Sequence, residues 1–367
     1  MDVAEQLVTF CPDANDKRSH EYLSRCAVSR RLAEVLRVPF AGEYDGEPND
    51  GSHPYFVPQH TLLSDEAEAL GIISEDDLFG GVVPHHFVAT KAVTHDTVSE
   101  HARAPRGWSH ALGESLSSVV LPGYSAFTES DIANGGRLLL RLGCVRLKPA
   151  HQLNGAGQTV IASESELDAA IAGLDKEDLR RHGVVLEQSL ESPVTYCVGE
   201  VRLREHRIAY FGTQRTTTNN DGEEVYGGTD LTLIRGGIRE LLSLDLTHSI
   251  RIAVTQAMEY DDAIAHAFPT FFASRRNYTV VQGGDEQGRC LSGVLEQSWR
   301  YGVASAAEVA ALKAFAEDPH LDIVRAATHE VYSPDAQAPP GADVYFDGTD
   351  THAGRLIKFC VIERNGS

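Results

Sequence analysis

A lysine closes the apolar run Cys144-Val145-Arg146-Leu147-Lys148, and a glycine-bearing loop, Pro149 to Gly157, follows it. An ammonium at the end of a buried strand needs a polar destination. Gly155 and Gly157 leave backbone N–H groups open to close approach, so lysine and loop together make an anion site. It is not a Walker loop, because the lysine precedes the glycines and no Gly-Lys-Ser/Thr follows. The same stretch also reads as a hairpin loop with a solvated lysine. Further on, Val184-Val185-Leu186-Glu187-Gln188-Ser189-Leu190 runs an apolar strand into a carboxylate. Extended backbone there can offer N–H and C=O groups to the edge of a planar ring, with Leu186 and Leu190 as flanks; an acid ending an ordinary surface strand is the plainer reading. In Gly293–Arg300, strand alternation puts Glu296, Ser298 and Arg300 on one face. A carboxylate there suits Mg²⁺, and a guanidinium suits a carboxylate or phosphoryl group. A Glu–Arg pair on an exposed strand is the alternative.

The elements that must position these groups follow from periodicity. Residues 19–37 place Tyr22, Leu23, Cys26, Val28, Leu32, Val35 and Leu36 at helical spacing. Leu62–Leu70 predicts a second helix opened by Ser64, Phe87–Ala89 a β-like run into Lys91, and Val119–Leu121 a short strand. Thr128 or Ser130 caps a helix running through Leu142. Strands are expected at 144–148, 159–161 and 184–187, with a helix at 167–174 between the last two. Beyond them come alternating segments at 194–203 and 206–214, a turn at Asn219–Gly222 and a long helix over 247–267. A hairpin pairs 278–282 with 291–297, and a helix spans 305–315.

The bulk composition narrows the partners. The chain of 367 residues is too long for one core. Its formal charge of −21 argues against nucleic acid or an anionic membrane as the main partner. No run of eighteen apolar residues predicts a membrane span. The start of the chain reads as neither a secretory signal nor a transit peptide, so a cytoplasmic location is expected. The six cysteines are scattered without a CxxC pair, which predicts reduced thiols. The sixteen histidines show no metal-ligand spacing, so structural zinc is not expected.

In this order the three chemical segments resemble the ATP-grasp superfamily. Its pattern is a lysine-proline with a Gly-rich loop, then two apolar residues and a hinge Glu, then Glu-x-Asn-x-Arg on a late strand. Lys148, Glu187 and the Glu296–Arg300 stretch match position by position. Lys91 corresponds to the earlier lysine that reaches the nucleotide from the preceding lobe, and Thr195 falls where the family places a polar residue near the ribose. The likeness covers roughly residues 85–310. The phrases PYFVPQHTLL, DLFGGVVPHHFVATK and VLEQSWR are also similar to an uncharacterised bacterial family of ATP-grasp-like proteins.

The resemblance implies an α+β or α/β chain of three parts. These are an N-terminal α/β lobe (1–105), a lid subdomain (106–192) and a C-terminal antiparallel-sheet subdomain carrying the metal-side hairpin (193–367). It implies ATP and Mg²⁺ as cofactors and small-molecule carboxylate and amine substrates, with a homodimer as a candidate assembly. Lys91 and Lys148 would hold phosphates, with Gly155 and Gly157 in a closing loop. Glu187, Ser189, Leu190 and Thr195 would line the nucleoside side, and Glu296, Ser298 and Asn277 the metal. Arg300 and Arg276 would clamp the γ-phosphate or the substrate carboxylate. The implied activity is ADP-forming ligation through an acyl phosphate. Two departures bear on it: Ser298 stands where the family has asparagine, and the strand Asn277–Gln282 carries no acid. The alternative is a nucleotide-binding protein that has lost turnover.

Overall fold

The computed structural model describes residues 5–13, 16–46, 53–152 and 157–364. Among them, an eight-stranded sheet runs in the order Cys290–Ser298, Arg275–Gly284, Glu191–Leu203, His206–Thr218, Glu224–Arg235, Ile323–Val331, Gly354–Arg364 and Asp343–Asp350. Every neighbouring pair is antiparallel. Alternation splits its apolar residues between two cores. Cys197, Tyr210 and Leu231 pack with the helices His20–Leu36 and Ser305–Glu317, whereas Val198, Ala209 and Tyr278 pack with the helix His248–Ala267. The turn at 219–222 is held by the Asn219 Oδ1, which accepts from the N–H groups of Asp221 and Glu223, each at 2.9 Å.

The first helix, His20–Leu36, is capped by Ser19, whose hydroxyl accepts from the Tyr22 N–H. Its buried stripe contains Arg25, Val28, Ser29, Leu32, Ala33 and Leu36. This corrects the sequence reading of its face: Leu23 is 45% exposed, and Arg25 is only 3% exposed. Beside it lies a parallel sheet of Phe40–Glu43, Leu7–Phe10 and Tyr55–Pro58. A further small sheet joins Leu62–Leu63 and Gly81–Val83 to Phe272–Ala273, so early and late segments of the chain share one sheet.

A four-stranded antiparallel sheet orders Gly123–Ala126, Val184–Gln188, Val145–Pro149 and Thr159–Ile161. Its inner face, Val145, Leu147, Val184 and Leu186, packs on Ile132, Leu139, Leu167 and Leu179 from the helices Glu129–Leu139, Glu164–Ala172 and Lys176–His182. The pleat therefore sends Arg146, Lys148, Val185 and Glu187 to the other face.

Several local expectations change. Phe87–Ala89 lies in a 3₁₀ turn, because the carbonyls of Val88 and Thr90 accept from the Gln297 side chain rather than from a neighbouring strand. Val119–Leu121 is not a strand; the Val119 carbonyl accepts a backbone bond from Val294 at 2.8 Å without a ladder. The short helix Lys176–His182 and the last three strands had no counterpart in the periodicity reading. All six cysteines are free thiols. No helix among the described residues is long and apolar enough to cross a membrane.

Candidate active site

Lys148 and Glu187 sit on adjacent strands, with Lys148 opposite Val185 and Arg146 opposite Glu187, so they are diagonal neighbours on the outer face of the four-stranded sheet. Their side chains, 4% and 3% exposed, form an ion pair. The His95 Nε2 lies 3.6 Å from the other Glu187 oxygen, and neither of these two atoms has a hydrogen-bond partner. Burial pushes the Glu187 carboxyl up, but the Lys148 ammonium and His95 outweigh it and hold the group below the ordinary value. Gly123 makes room for this arrangement, since a Cβ there would come within 2.7 Å of the His95 ring.

Lys91, four residues before His95, reaches the opposite wall. Its ammonium lies 3.2 Å from the Glu296 Oε2 and also donates to the carbonyl of Gln152. Its N–H donates to the Ala150 carbonyl at 3.2 Å. Gln297, which points the other way from Glu296, donates to the carbonyls of Val88 and Thr90 at 2.8 and 2.9 Å and so fixes the turn that carries Lys91. The segment 88–97 is pinned on its far side by the Ser125 hydroxyl, which donates to the Ala92 carbonyl at 2.7 Å. One short segment thus delivers Lys91 to Glu296 and His95 to the Lys148–Glu187 pair, and this draws three distant stretches of the chain together.

The remaining expected positions divide. Gly157 has a φ of +68°, a conformation glycine takes cheaply, and lies against the Pro149 ring; Gly155 lies outside the described residues. The Ser189 N–H is spent on the Cys144 carbonyl at 2.8 Å, and the Gln188 N–H on the Pro122 carbonyl at 2.9 Å. The Ser189 hydroxyl accepts from Arg146. Leu190 is half-buried beside Gly283. Leu186, expected to flank a ring, is instead fully buried in the core on the other face of its sheet. Thr195 shares a sheet face with Cys197, Asn277, Thr279, Glu296 and Ser298. Asn277 donates through its amide nitrogen to Cys197 and to the Tyr210 hydroxyl, both at 2.9 Å, leaving the amide oxygen as its one atom for a cation. The Ser298 hydroxyl accepts from Arg275 at 3.3 Å.

Arg276 does not join them. The one-residue pleat turns it to the opposite face, 3.2 Å from the Asp261 carboxylate and over the Phe271 ring. The residue that the cleft face does receive is Arg275, which sequence reasoning passed over. It is fully buried and donates to both oxygens of Glu308 at 2.9–3.1 Å. It also donates to the Arg300 carbonyl at 2.7 Å, and so fixes the end of the late strand. Arg300 is half-buried, with Nη1 donating to the Tyr301 carbonyl at 2.7 Å. Burial pulls its guanidinium down, and Arg275 and Arg25 push the same way against Glu21 and Glu296.

The donor set around Glu296 has one carboxylate, faced across the hairpin by Thr279 rather than by an acid. That fits an ion arriving with a nucleotide's phosphates, which needs only one or two protein carboxylates, rather than a cage the protein builds alone. Elsewhere the structure gathers what sequence spacing hid: ligand atoms of His151, Asp178 and His182 lie within 4.8 Å of one another. They come from the end of the lysine strand and from the short helix beyond it.

The whole architecture has counterparts among solved structures. The N5-carboxyaminoimidazole synthetase of Staphylococcus aureus, solved with ADP, superposes with a TM-score of 0.56 at 11% identity, over 100% of this chain and 95% of that one. The corresponding synthase of Aspergillus clavatus, solved with ADP and 5-aminoimidazole ribonucleotide, gives 0.52 at 11% identity over 99% and 95%. The phosphoribosylamine–glycine ligase of Thermotoga maritima gives 0.51 at 11% over 98% and 92%. No curated protein matches the sequence. These likenesses establish the ATP-grasp fold, as the motif order anticipated. A family model described as "Protein of unknown function (DUF3182)" matches residues 8–360, and the chain belongs to that family.

Proposed function

We propose that this chain binds ATP between the four-stranded and eight-stranded sheets and uses it to join a small carboxylic acid to an amine, releasing ADP. The observation that carries this reading is the pairing of Lys148 with Glu187 and of Lys91 with Glu296, side by side, through one shared segment. Each ammonium has three donors and a carboxylate partner takes only part of them, so both lysines can turn donors to phosphate oxygens. Gly157 and the loop before it would close over the phosphates and keep water from an acyl phosphate. Glu187, Ser189, Leu190 and Thr195 would line the nucleoside side. Glu296, with the Asn277 oxygen and Ser298, would hold an Mg²⁺ ion brought by ATP; when bound, that ion neutralises phosphate charge. Arg300 would align the substrate carboxylate with the γ-phosphate, which is positioning and electrostatics rather than covalent work by the protein. The neighbours solved with ADP support the nucleotide part of the reading.

The facing Thr279, where an acid would strengthen metal binding, favours a second reading: a cleft that binds nucleotide without turnover. ADP release measured with a panel of acids and amines, with and without Mg²⁺, separates the two. Acid-dependent ADP release supports the ligase, and ATP binding with no release under any pairing supports the second reading.

A further inference from the structure

Between the first helix and the large sheet lies a cavity of about 600 Å³, a size that suits a metabolite rather than a single small ion. Arg25 and His20 of the helix line it from one side and Arg300 from the other. Arg25 is 3% exposed, yet its Nε and Nη2 have no hydrogen-bond partner. These two atoms form one edge of the guanidinium, the edge whose parallel N–H groups match the two oxygens of a carboxylate. The Tyr22 ring lies 5.4 Å from the guanidinium carbon, so the group is packed in place while its edge is left open. The His20 Nδ1, also on this cavity, is buried and unpartnered.

The cavity's own acids do not answer these donors. Glu330 is taken by Lys358 at 2.8 Å and by the Tyr332 hydroxyl at 3.2 Å. No ion pair reaches Arg25 or Arg300 among the described residues. Leaving a buried charged donor unpaired costs more than a neutral one, and a ligand carboxylate would supply both acceptors that the protein does not. Tyr226, Tyr301, Tyr332 and Tyr345 line the remaining walls and offer flat, mostly apolar faces.

We propose that this cavity is the acid-substrate site, with Arg25 seating the carboxylate of an aryl-type organic acid beside Arg300 and the tyrosines holding its flat body. The proposal rests on the ligase reading above and deepens it. Arg25 is then the residue that selects an acid, and the four tyrosines select against small aliphatic acids such as acetate.

Thermal-shift and calorimetric titrations of the full chain test it. The probes are 3-(4-hydroxyphenyl)propionate, benzoate, acetate, inorganic phosphate and phenyl phosphate, run on the wild type, Arg25→Met and Arg25→Lys, with ATP titrated in parallel. The aryl carboxylates should bind the wild type and outbind acetate. They should weaken roughly tenfold to a hundredfold in Arg25→Met, while ATP binding is retained. Arg25→Lys keeps the charge without the fork and should lose at least about tenfold, a readout that stands even if the methionine variant does not fold. The proposal is overturned if no aryl acid binds, if the variants bind them as tightly, or if phosphate or phenyl phosphate binds in preference. Absence of any ATP effect on the wild type sinks the ligase reading itself, whatever the acids do.

Discussion

Arg275 and Arg25 are both buried, at 0% and 3% exposure, and their surroundings are opposite. Arg275 donates to Glu308, to the Ser298 carbonyl and hydroxyl and to the Arg300 carbonyl. Arg25 has two buried donors for which the protein supplies no acceptor. The first is a finished piece of scaffold, which fixes the end of the late strand. The second is half of an interaction. Between them in character stands the Lys148–Glu187 pair: buried and joined through one Glu187 oxygen, with the other oxygen unpartnered beside His95, on the sheet face where the proposed phosphate would take over part of the lysine's donors. The difference teaches that burial alone does not mark a functional charge; what separates these two arginines is whether the protein supplies the acceptors.

Substitutions can break or sharpen that contrast. The largest effect should come from Arg275→Met, which strands Glu308 as a buried uncompensated carboxylate; denaturant unfolding should show a loss of about 3–5 kcal/mol. Glu187→Gln should cost less, about 1–3 kcal/mol near neutral pH, because the amide oxygen still accepts from Lys148. The Glu187 carboxyl is depressed below its ordinary value of 4.5 in the folded chain. The wild type's advantage over this variant should therefore be complete above 4.5 and fade as pH falls through the lower folded value, which a pH series of unfolding curves reads directly. Glu296→Gln should change stability by less than about 1 kcal/mol, since its side chain is 32% exposed. Its signature is instead loss of the Mg²⁺ dependence of ATP binding. Arg25→Met, at the far end, should leave the ligand-free chain as stable as the wild type or slightly more so, in contrast to Arg275→Met.

Much of the frame was readable from residues. The long helix 248–267, the lysine strand, the glutamate strand and the late hairpin all fall where periodicity and turn residues put them. The motif order sufficed for the fold. What escaped has physical causes. Arg275 and Arg276 are neighbours in a strand, and choosing the wrong one by a single residue sends the side chain to the other face. Arg25 falls three residues before Val28 on the buried stripe, so its signal was present: a charge within an apolar helical face. His95 became visible only through the fold, because its link to Glu187 depends on a turn held by Gln297 and Ser125. The turn at 86–89 looked like a strand, since an apolar run does not say whether its carbonyls will meet a ladder or a glutamine.

Lys148 is the proposed phosphate-holding group, so the deciding measurement is the ATP-induced stabilisation of the wild type beside Lys148→Ala, with circular dichroism confirming that the variant is folded. At ATP a hundredfold above its dissociation constant, the wild type should gain about 2.7 kcal/mol and the variant essentially nothing. An equal gain in both proteins would contradict the account and place the nucleotide elsewhere.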